Sequence, residues 1–372
     1  ATYISALNVL WTGIAISGLG HVLWLGKASR VRWALELPLE AKVVRHIVMI
    51  VTYKEPMEVI CQTINTLKAQ TVAKSIVLVV GMEEKTPDLG DRQRQLCEMY
   101  HPHFLAVICT KHPKREGEVA GKCSNENWAM RSAVEVLQRQ GILGKIENWT
   151  GTSCDADTMF HPEHFAALSA RFACDPQKHR SIWQPFLFYN WDLHERYFFT
   201  RITAMIRSTM MAGFLVPAGL QNMSVYHFSM KLCIAAGYWH PRYQMEDIMF
   251  LFSAMQGTGG NVRIKPMPVP LVIGPTSGDT LREEFRQWEM QARRWTNGNA
   301  ESFHYFVVKA CLGRKLPMWV AIKQSLLFIV YYGCILCGTS LSITLMSALV
   351  YAPTCSGIFG SAEVAPGWPQ RS

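Results

Sequence analysis

The sequence lacks both of the short glycine motifs that most directly indicate a nucleotide-binding fold. No segment carries G-x-G-x-x-G or a P-loop. In those motifs the glycines let backbone amides approach the phosphates of a bound nucleotide. Their absence argues against a dinucleotide-binding Rossmann enzyme and against a P-loop nucleotidase. The chain also has no evident internal repeat or low-complexity tract, so a solenoid or a disordered segment is not indicated.

Charge is scarce as well. Of the 372 residues, 17% are charged and 49% are hydrophobic, with a formal net charge of +9. This composition is too apolar for a disordered chain or a purely nucleic-acid-binding chain, so no nucleic-acid partner is predicted. The positive balance suits an anionic membrane surface or an anionic substrate such as a nucleotide diphosphate. Eleven cysteines lack the regular spacing of a disulfide framework, which indicates reduced thiols and a mostly cytosolic chain.

Two long stretches near the ends of the chain contain no Lys, Arg, Asp or Glu. They are residues 1–26 and 324–352, and each exceeds the roughly 20 residues that cross a bilayer. Two buried helices of a soluble protein are the alternative, although such helices usually run shorter. Basic residues follow the first stretch and precede the second: Lys27, Arg30, Arg32, Arg314, Lys315 and Lys323. The positive-inside rule then places residues 27–323 in the cytosol of an integral membrane protein.

These stretches set the predicted domain boundaries. The expected order is a transmembrane helix at 1–26, a basic cytosolic connector at 27–45, a large cytosolic domain at 46–312, an interfacial segment at 313–323, a second transmembrane helix at 324–352 and a tail at 353–372. Trp319 would anchor the interfacial segment. The chain begins with Ala1 rather than Met and ends soon after the second apolar stretch. A piece of a longer polytopic protein would have this appearance.

The middle of the chain alternates between strand and helix patterns. Buried strands are predicted at 46–53, 75–80 and 104–109 and in a run that ends at Cys154, with helices at 57–69 and 125–140. This alternation predicts an α/β fold with a mainly parallel sheet. Ligands bind beyond the carboxyl ends of strands in such sheets. The polar residues at those positions are Thr52, Tyr53, Glu55, Glu83, Asp155 and Asp157, together with Lys122 in the loop that opens the helix after the third strand.

Asp155 and Asp157 are two positions apart, so a strand directs both to one side. Two carboxylates there suit a hard cation such as Mg²⁺ or Mn²⁺. The pair alone is weak evidence, because Asp also caps helices and starts turns. The segment also resembles the nucleophile motif of haloacid-dehalogenase-type phosphatases. However, Met159 stands where that motif has Thr or Val.

Two further motifs lie downstream. Glu246 and Asp247 enter an apolar stretch, where they either complement a helix dipole or supply a general base. Residues 280–300 predict a helix, on which Gln291, Arg294 and Trp295 share one face. Arginine can bind phosphate bidentately, and the Trp ring offers a flat platform for a sugar.

Together these residues resemble a known family. The ordered set comprises Tyr53, "GKCSNEN" at 121–127, Asp-x-Asp at 155–157, Glu-Asp at 246–247 and Gln-x-x-Arg-Trp at 291–295. It is similar to the family 2 inverting glycosyltransferases of the membrane-embedded type, which include cellulose, chitin and hyaluronan synthases. The resemblance covers about residues 45–300. It implies a GT-A-like fold flanked by transmembrane helices.

The resemblance also implies a role for each matching residue. Thr52, Tyr53 and Glu55 would hold the base and ribose of the nucleotide, with Glu83 as the nearest counterpart of an Asp pair that the family has after its second strand. Lys122 would approach the diphosphate, Asp155 the nucleotide and Asp157 the metal. Asp247, next to Glu246, would deprotonate the acceptor. Gln291 and Arg294 would bind the pyrophosphate, and Trp295 would lie under the acceptor sugar.

The expected function is therefore a membrane-anchored, inverting transfer of a sugar from a nucleotide donor, expected to be UDP-linked, to a glycan or other acceptor hydroxyl. Mg²⁺ or Mn²⁺ would be the cofactor, and a lipid membrane would be a partner. A single span after the catalytic region is too few to line a polymer channel. The alternative is a non-catalytic membrane scaffold that retains a degenerate transferase domain.

Overall fold

The computed structural model describes residues 2–52, 55–303, 316–328 and 331. Its chain divides into two compact units, residues 13–321 and the two ends at 1–12 and 322–372. The fold and the site below belong to the unit at 13–321. Tyr53 lies outside the described residues, and so does almost all of the predicted transmembrane helix at 324–352 and the whole tail at 353–372.

Ten strands and eleven α-helices are described in this chain order. The strands are β1 Arg45–Thr52, β2 Ile76–Glu83, β3 Ala106–His112, β4 Trp149–Cys154, β5 Thr158–Phe160, β6 Ser181–Gln184, β7 Leu187–Phe188, β8 Tyr226–Ser229, β9 Arg263–Pro266 and β10 Leu271–Ile273. The helices are α1 Thr2–Ala28, α2 Leu39–Lys42, α3 Met57–Lys68, α4 Leu89–Tyr100, α5 Lys122–Arg139, α6 His164–Ala173, α7 Phe198–Met210, α8 Met230–Ala236, α9 Glu246–Gly257, α10 Leu281–Phe303 and α11 Met318–Phe328.

The central sheet has seven strands in the order β3-β2-β1-β4-β8-β6-β9. Strands β1 to β4 run parallel to one another, which confirms the mainly parallel α/β prediction. Almost every residue of β1 and β2 is buried, as expected where helices cover both faces of a parallel sheet. Thr52 pairs with Met82 and Ile50 with Cys154. The carboxyl ends of β1, β2 and β4 therefore meet at one edge.

Three local predictions need correction. Strand β2 continues through Glu83 instead of ending before Gly81, and β3 spans Ala106–His112 rather than 104–109. Lys122 is the first residue of α5, not a loop residue. Strand β8 pairs antiparallel with both β4 and β6. Alternating or continuous apolar residues indicate a strand but not its direction, since direction depends on the route of the connecting chain.

A second sheet of three short strands, in the order β5-β10-β7, lies apart from the central sheet. Strand β10 is antiparallel to β5 and parallel to β7. The start of β5 therefore lies beside the ends of β10 and β7, so Asp157, Gly274 and the chain after Phe188 emerge at one edge. This small sheet brings three distant segments together.

The apolar stretch at 203–223 forms a helix and a π-turn within the fold. Helix α7 continues into a π-helical turn at Met211–Leu215, and four of that turn's five residues are buried. A Cβ at Gly213 would clash with the backbone of Ile14 on α1, so glycine permits the close approach of these two segments. Among the described residues, one helical stretch, Ser5–Ala28, is long and apolar enough to cross a membrane. Residues 203–223 thus belong to the folded unit at 13–321.

Three fully buried histidines lie between the central sheet and α6. His46 on β1 hydrogen-bonds through its two ring nitrogens to Thr150 (2.7 Å) and Ser169 (2.9 Å). The Nε2 atoms of His164 and His227 are 2.9 Å apart, so one neutral ring donates to the other. Burial lowers the pKa of His46 and of His164 to about 3, and it lowers the pKa of His227 well below 6.5. The rings are therefore neutral at physiological pH.

This histidine cluster should make the fold lose stability as the pH falls. Each ring stays neutral in the folded state while the unfolded chain binds a proton below its pKa of 6.5. The stabilising contribution is thus complete above pH 6.5 and is lost as the pH falls toward 3, at up to about 1.4 kcal/mol per pH unit for each ring. Thermal unfolding of wild type and His46→Gln between pH 6.5 and roughly pH 5, above the carboxylate range, measures the slope.

His46→Gln should flatten that slope by the contribution of one ring, whatever it does to stability at neutral pH. His101→Gln, at an exposed position, is the matched control and should leave the slope unchanged. An unaltered slope in His46→Gln would contradict the assignment.

Candidate active site

A cavity of about 670 Å³ opens at the carboxyl edge of the central sheet. Its walls come from the ends of β1, β2 and β4, the start of α5, the loop after β10 and helix α10. Eight of the sequence-predicted site residues line it: Thr52, Glu55, Glu83, Lys122, Asp155, Asp157, Gln291 and Arg294. The fold thus gathers side chains that are separated by up to 242 positions in the sequence, from Thr52 to Arg294.

Four predicted residues are not among the lining residues. Glu246 reaches the site through Lys122, Asp247 lies buried behind it, and Trp295 is half-buried on α10. Tyr53 lies outside the described residues. The structure therefore gives the Tyr53 assignment no contacts, and stacking on a base stays a prediction.

Two groups of lining residues were not predicted from the sequence. Trp191, Asp192 and Arg196 follow β7, and Gly274, Pro275 and Ser277 follow β10. The available signal was the aromatic and charged run at 186–198 together with the dense Gly and Pro residues at 264–278. Neither run has a defined spacing, and only pairing within the small sheet brings them to the cavity.

Lys122 is the electrostatic centre of the site. Its Nζ donates to Asp155 Oδ1 at 2.6 Å, to Glu246 Oε1 at 2.7 Å and to the carbonyl oxygen of Ser224 at 3.2 Å. Burial works to lower the pKa of Lys122, but the carboxylates of Asp155, Glu246 and Glu126 raise it well above its usual value. The lysine is therefore charged, and it joins the end of β4 to the start of α9.

Beneath Lys122 lies Glu126, one turn along α5 and fully buried. Ser153 Oγ donates to its Oε1 at 2.6 Å, and Lys122 Nζ is 3.8 Å away from the same oxygen. Burial raises the pKa of Glu126 well above its ordinary value, against the opposing effect of Lys122. The negative charges of Glu246 and Asp155 act in the same direction as burial on the pKa of Glu126.

Asp157 lies at the edge of the small sheet, directly before β5. Burial, followed by the charge of Asp155, raises the pKa of Asp157 to about 7. A Cβ at position 274 would lie 2.8 Å from Asp157 Oδ2, so Gly274 leaves room beside this carboxylate. Two close carboxylates that disfavour each other's charge gain most from a cation placed between them.

The residues present fit a divalent cation that is shared with a phosphate ligand. No group of three or more His, Cys, Asp or Glu side chains in the described part of the chain is arranged to hold a metal alone. Asp157 and Asp155 offer hard carboxylate oxygens, although Lys122 already takes one oxygen of Asp155. Mg²⁺ characteristically binds one or two carboxylates, substrate phosphate oxygens and water, and this donor set matches that pattern.

Asp247 occupies the first turn of α9 and is 6% exposed. Its Oδ1 accepts from the backbone N–H of Ile248 at 2.8 Å and its Oδ2 from that of Ser224 at 3.2 Å. Burial, followed by the charge of Glu246, raises the pKa of Asp247 to about 7. A carboxylate with such a pKa can accept a proton near neutral pH.

Helix α10 carries the predicted phosphate-and-sugar face. Thr276 Oγ1 donates to Gln291 Oε1 at 2.8 Å, which fixes the amide next to the loop after β10. Arg294 lines the same cavity one turn further along. The guanidinium of Arg207 on α7 lies 4.8 Å from the Trp295 ring and 3.7 Å from the Tyr189 ring. This cation–π contact orients Trp295.

A family model described as glycosyl transferase family group 2 matches residues 152–359. The match begins on β4, just before the Asp155–Asp157 pair, and includes α9 and α10. It covers more than half of the chain. No protein with curated annotation matches the sequence significantly.

Three solved structures that are similar to the chain can be compared with it. Mannosyltransferase PcManGT from Pyrobaculum calidifontis, solved with GDP-Man and Mn²⁺, aligns with a TM-score of 0.53 at 17% identity, over 95% of this chain and 92% of that one. GalNAc-T7 with UDP, GalNAc and Mn²⁺ gives 0.37 at 12% identity over 66% and 48% of the two chains. S. aureus TarS 1-349 gives 0.40 at 12% identity over 71% and 68%.

The similarity to PcManGT supports the GT-A-like fold. The family match supports glycosyl transfer as the reaction. The phosphatase alternative raised by residues 155–159 is thereby excluded. The chain belongs to glycosyl transferase family group 2, and it is a glycosyltransferase with a GT-A-like mixed α/β fold.

Proposed function

We propose that this glycosyltransferase is membrane-anchored and inverting, and that it moves a sugar from a nucleotide diphosphate donor to an acceptor hydroxyl with help from a divalent cation. One observation carries the proposal. A single cavity at the edge of the sheet joins the carboxylates of Asp155 and Asp157 to the amide and guanidinium of Gln291 and Arg294. The residues that we assign to the cation and those that we assign to the phosphates thus line the same cavity.

The donor half of the cavity suits a nucleotide. Thr52, Glu55 and Glu83 follow β1 and end β2, where ligands of α/β sheets bind. We assign them to the base and ribose, with Tyr53 as the predicted stacking ring. Gln291 and Arg294 would bind the diphosphate, because a guanidinium matches phosphate oxygens bidentately.

A divalent cation would be held by Asp157, with Asp155 turned toward the nucleotide and Lys122. When bound, the cation would neutralise charge on the departing diphosphate. Mn²⁺ accompanies the nucleotide sugar in the PcManGT structure, and we extend that use to this chain as part of the proposal. Mg²⁺ is the alternative ion with the same ligand preferences.

The acceptor side depends on α9. An inverting displacement needs a base on the face of the sugar opposite the leaving group. Asp247 is our candidate, since its raised pKa keeps it able to take the acceptor proton near neutral pH. Glu246 forms a salt bridge with Lys122. We therefore assign Glu246 to holding the start of α9 in position beside the donor half of the cavity.

Anchoring rests on α1. The apolar stretch Ser5–Ala28 is 24 residues long, and 17% of its most apolar window is buried, which differs from a soluble core helix. Lys27 lies at its end and Arg30 just beyond it, and both would keep the catalytic unit in the cytosol. The second predicted span, the interfacial segment and the domain boundaries remain predictions.

Nucleotide release by the purified, detergent-solubilised protein tests the proposal. The panel should hold UDP-glucose, UDP-N-acetylglucosamine, UDP-N-acetylgalactosamine and GDP-mannose, each with Mn²⁺, with Mg²⁺ and with a chelator. We expect metal-dependent release with one donor and product growth on a matching acceptor. No release with any donor, combined with retained binding of UDP and Mn²⁺, would favour the scaffold alternative.

A further inference from the structure

The chain segment after β7 forms one wall of the cavity, and none of the roles proposed above belongs to it. The small sheet places this segment at the edge where Asp157 and Gly274 also emerge. Trp191, Asp192 and Arg196 of the segment line the cavity. Asp192 adopts the left-handed backbone region with φ of 50°, a conformation that carries a cost outside glycine. The segment is thus held close to the candidate metal and phosphate ligands.

Arg196 has an unsatisfied donor in this wall. Its Nε is buried and has no hydrogen-bond partner among the described residues. Burying a guanidinium N–H without an acceptor is costly, so the group is expected to meet an acceptor in the working enzyme. Its main chain is fixed, because Arg201 Nε donates to the carbonyl oxygen of Arg196 at 2.6 Å.

Helix α7, which follows directly, is held against α10. The ring of Phe199 lies 4.9 Å from that of Trp288 and 5.5 Å from that of Phe285. Arg196 is three residues before Phe199, and Arg294 is six residues beyond Trp288. The contact between the helices therefore fixes the two arginines on walls of one cavity.

The arrangement of charges in the cavity leaves Arg196 and Arg294 available to bind an anion. The positive charge of Lys122 is already neutralised, since Asp155 and Glu246 both contact its ammonium group. Neither Arg196 nor Arg294 forms a salt bridge with any carboxylate of the described residues. A departing nucleoside diphosphate carries several negative charges, and uncompensated guanidinium groups are its natural ligands.

We propose that Arg196 is a second arginine ligand for the diphosphate of the nucleotide sugar, acting together with Arg294. This inference rests on the proposed function, because it assumes that the cavity binds a nucleotide sugar. The inference adds a binding residue, Arg196, from a segment outside the five motifs that resemble the family. The chemistry it recognises is the β-phosphate of a nucleoside diphosphate.

Calorimetric titration with uridine and guanosine mono- and diphosphates, each with Mn²⁺, tests this directly on the full chain. Arg196→Gln should weaken binding of the preferred nucleoside diphosphate by about 10- to 100-fold, the effect of losing a charge-assisted bidentate contact. Binding of the monophosphate should change by less than about threefold. Arg196→Lys should recover part of the loss, because it restores charge but not the planar fork.

Arg263→Gln is the matched control, at an exposed position on β9, and it should bind both nucleotides as the wild type does. Thermal unfolding of each variant checks folding. If wild type binds no nucleotide, the proposed function fails and takes this inference with it. If wild type binds and Arg196→Gln binds the diphosphate equally well, or loses mono- and diphosphate alike, only the inference is overturned.

Discussion

Replacing Asp247 by Asn should lower kcat by about 10²- to 10⁴-fold, the usual contribution of a positioned general base. The amide keeps the shape of the side chain, and its one oxygen can still accept the N–H group of Ile248 or that of Ser224. It cannot take a proton from the acceptor hydroxyl. Nucleotide affinity should stay within about threefold of wild type, because Asp247 lies outside the donor half of the cavity.

The pH profile should identify the same group. Burial and Glu246 raise the pKa of Asp247 to about 7, and a base acts only when it is deprotonated. The wild-type kcat should therefore increase as the pH rises through about 7 and level off above it, whereas Asp247→Asn should lack this step. Initial rates of nucleotide release with saturating donor and acceptor give the profile.

Asp91→Asn makes the same Asp-to-Asn change at an exposed surface site on α4. This control should leave the rate and the pH profile unchanged. Full activity in Asp247→Asn would refute the assignment. Glu246→Gln would then be the next variant, since Glu246 is the neighbouring carboxylate.

Replacing Asp157 by Asn should lower metal-dependent turnover by about 10²- to 10⁴-fold, which corresponds to several kcal/mol of charge stabilisation. The proposed cation would lose the carboxylate that Gly274 leaves accessible. The stimulation of nucleotide binding by Mn²⁺ should be lost as well, and calorimetry with and without the metal measures it.

Stability should respond in the opposite direction to activity. The pKa of Asp157 is raised to about 7 by burial and by Asp155, so this carboxylate is an unfavourable charge in the metal-free fold. Asparagine removes that charge, and the thermal midpoint should stay the same or rise. If the midpoint falls while metal dependence survives, Asp157 is a structural turn residue and not a metal ligand.

Much of this organisation can be predicted from local patterns. The runs at 46–53 and 75–80 predicted buried parallel strands because both faces of a central strand are apolar. Alternation with helices predicted the edge at which polar residues gather. Gln291, Arg294 and Trp295 were assigned to one face of α10 by helical spacing, and residues 281–303 are indeed helical.

Other features depend on contacts that spacing does not encode. Lys122 was predicted near the diphosphate, yet in the fold it also pairs with Glu246, 124 positions away. The direction of β8 and the bounds of β3 were not predictable from their short apolar runs. The contact of Arg207 on α7 with the Trp295 ring on α10 was likewise not predictable from spacing.

The sequence by itself determined the fold class, the family and eight of the residues that line the cavity, because strand and helix periodicities and the ordered motifs are local properties. Only the tertiary structure decided which carboxylates share Lys122, that Asp157 lies beside Gly274, and that Arg196 faces the same space as Arg294. Those relations arise where the small sheet and α7 bring distant segments together. They depend on pairing and packing across long sequence separations, which no local pattern specifies.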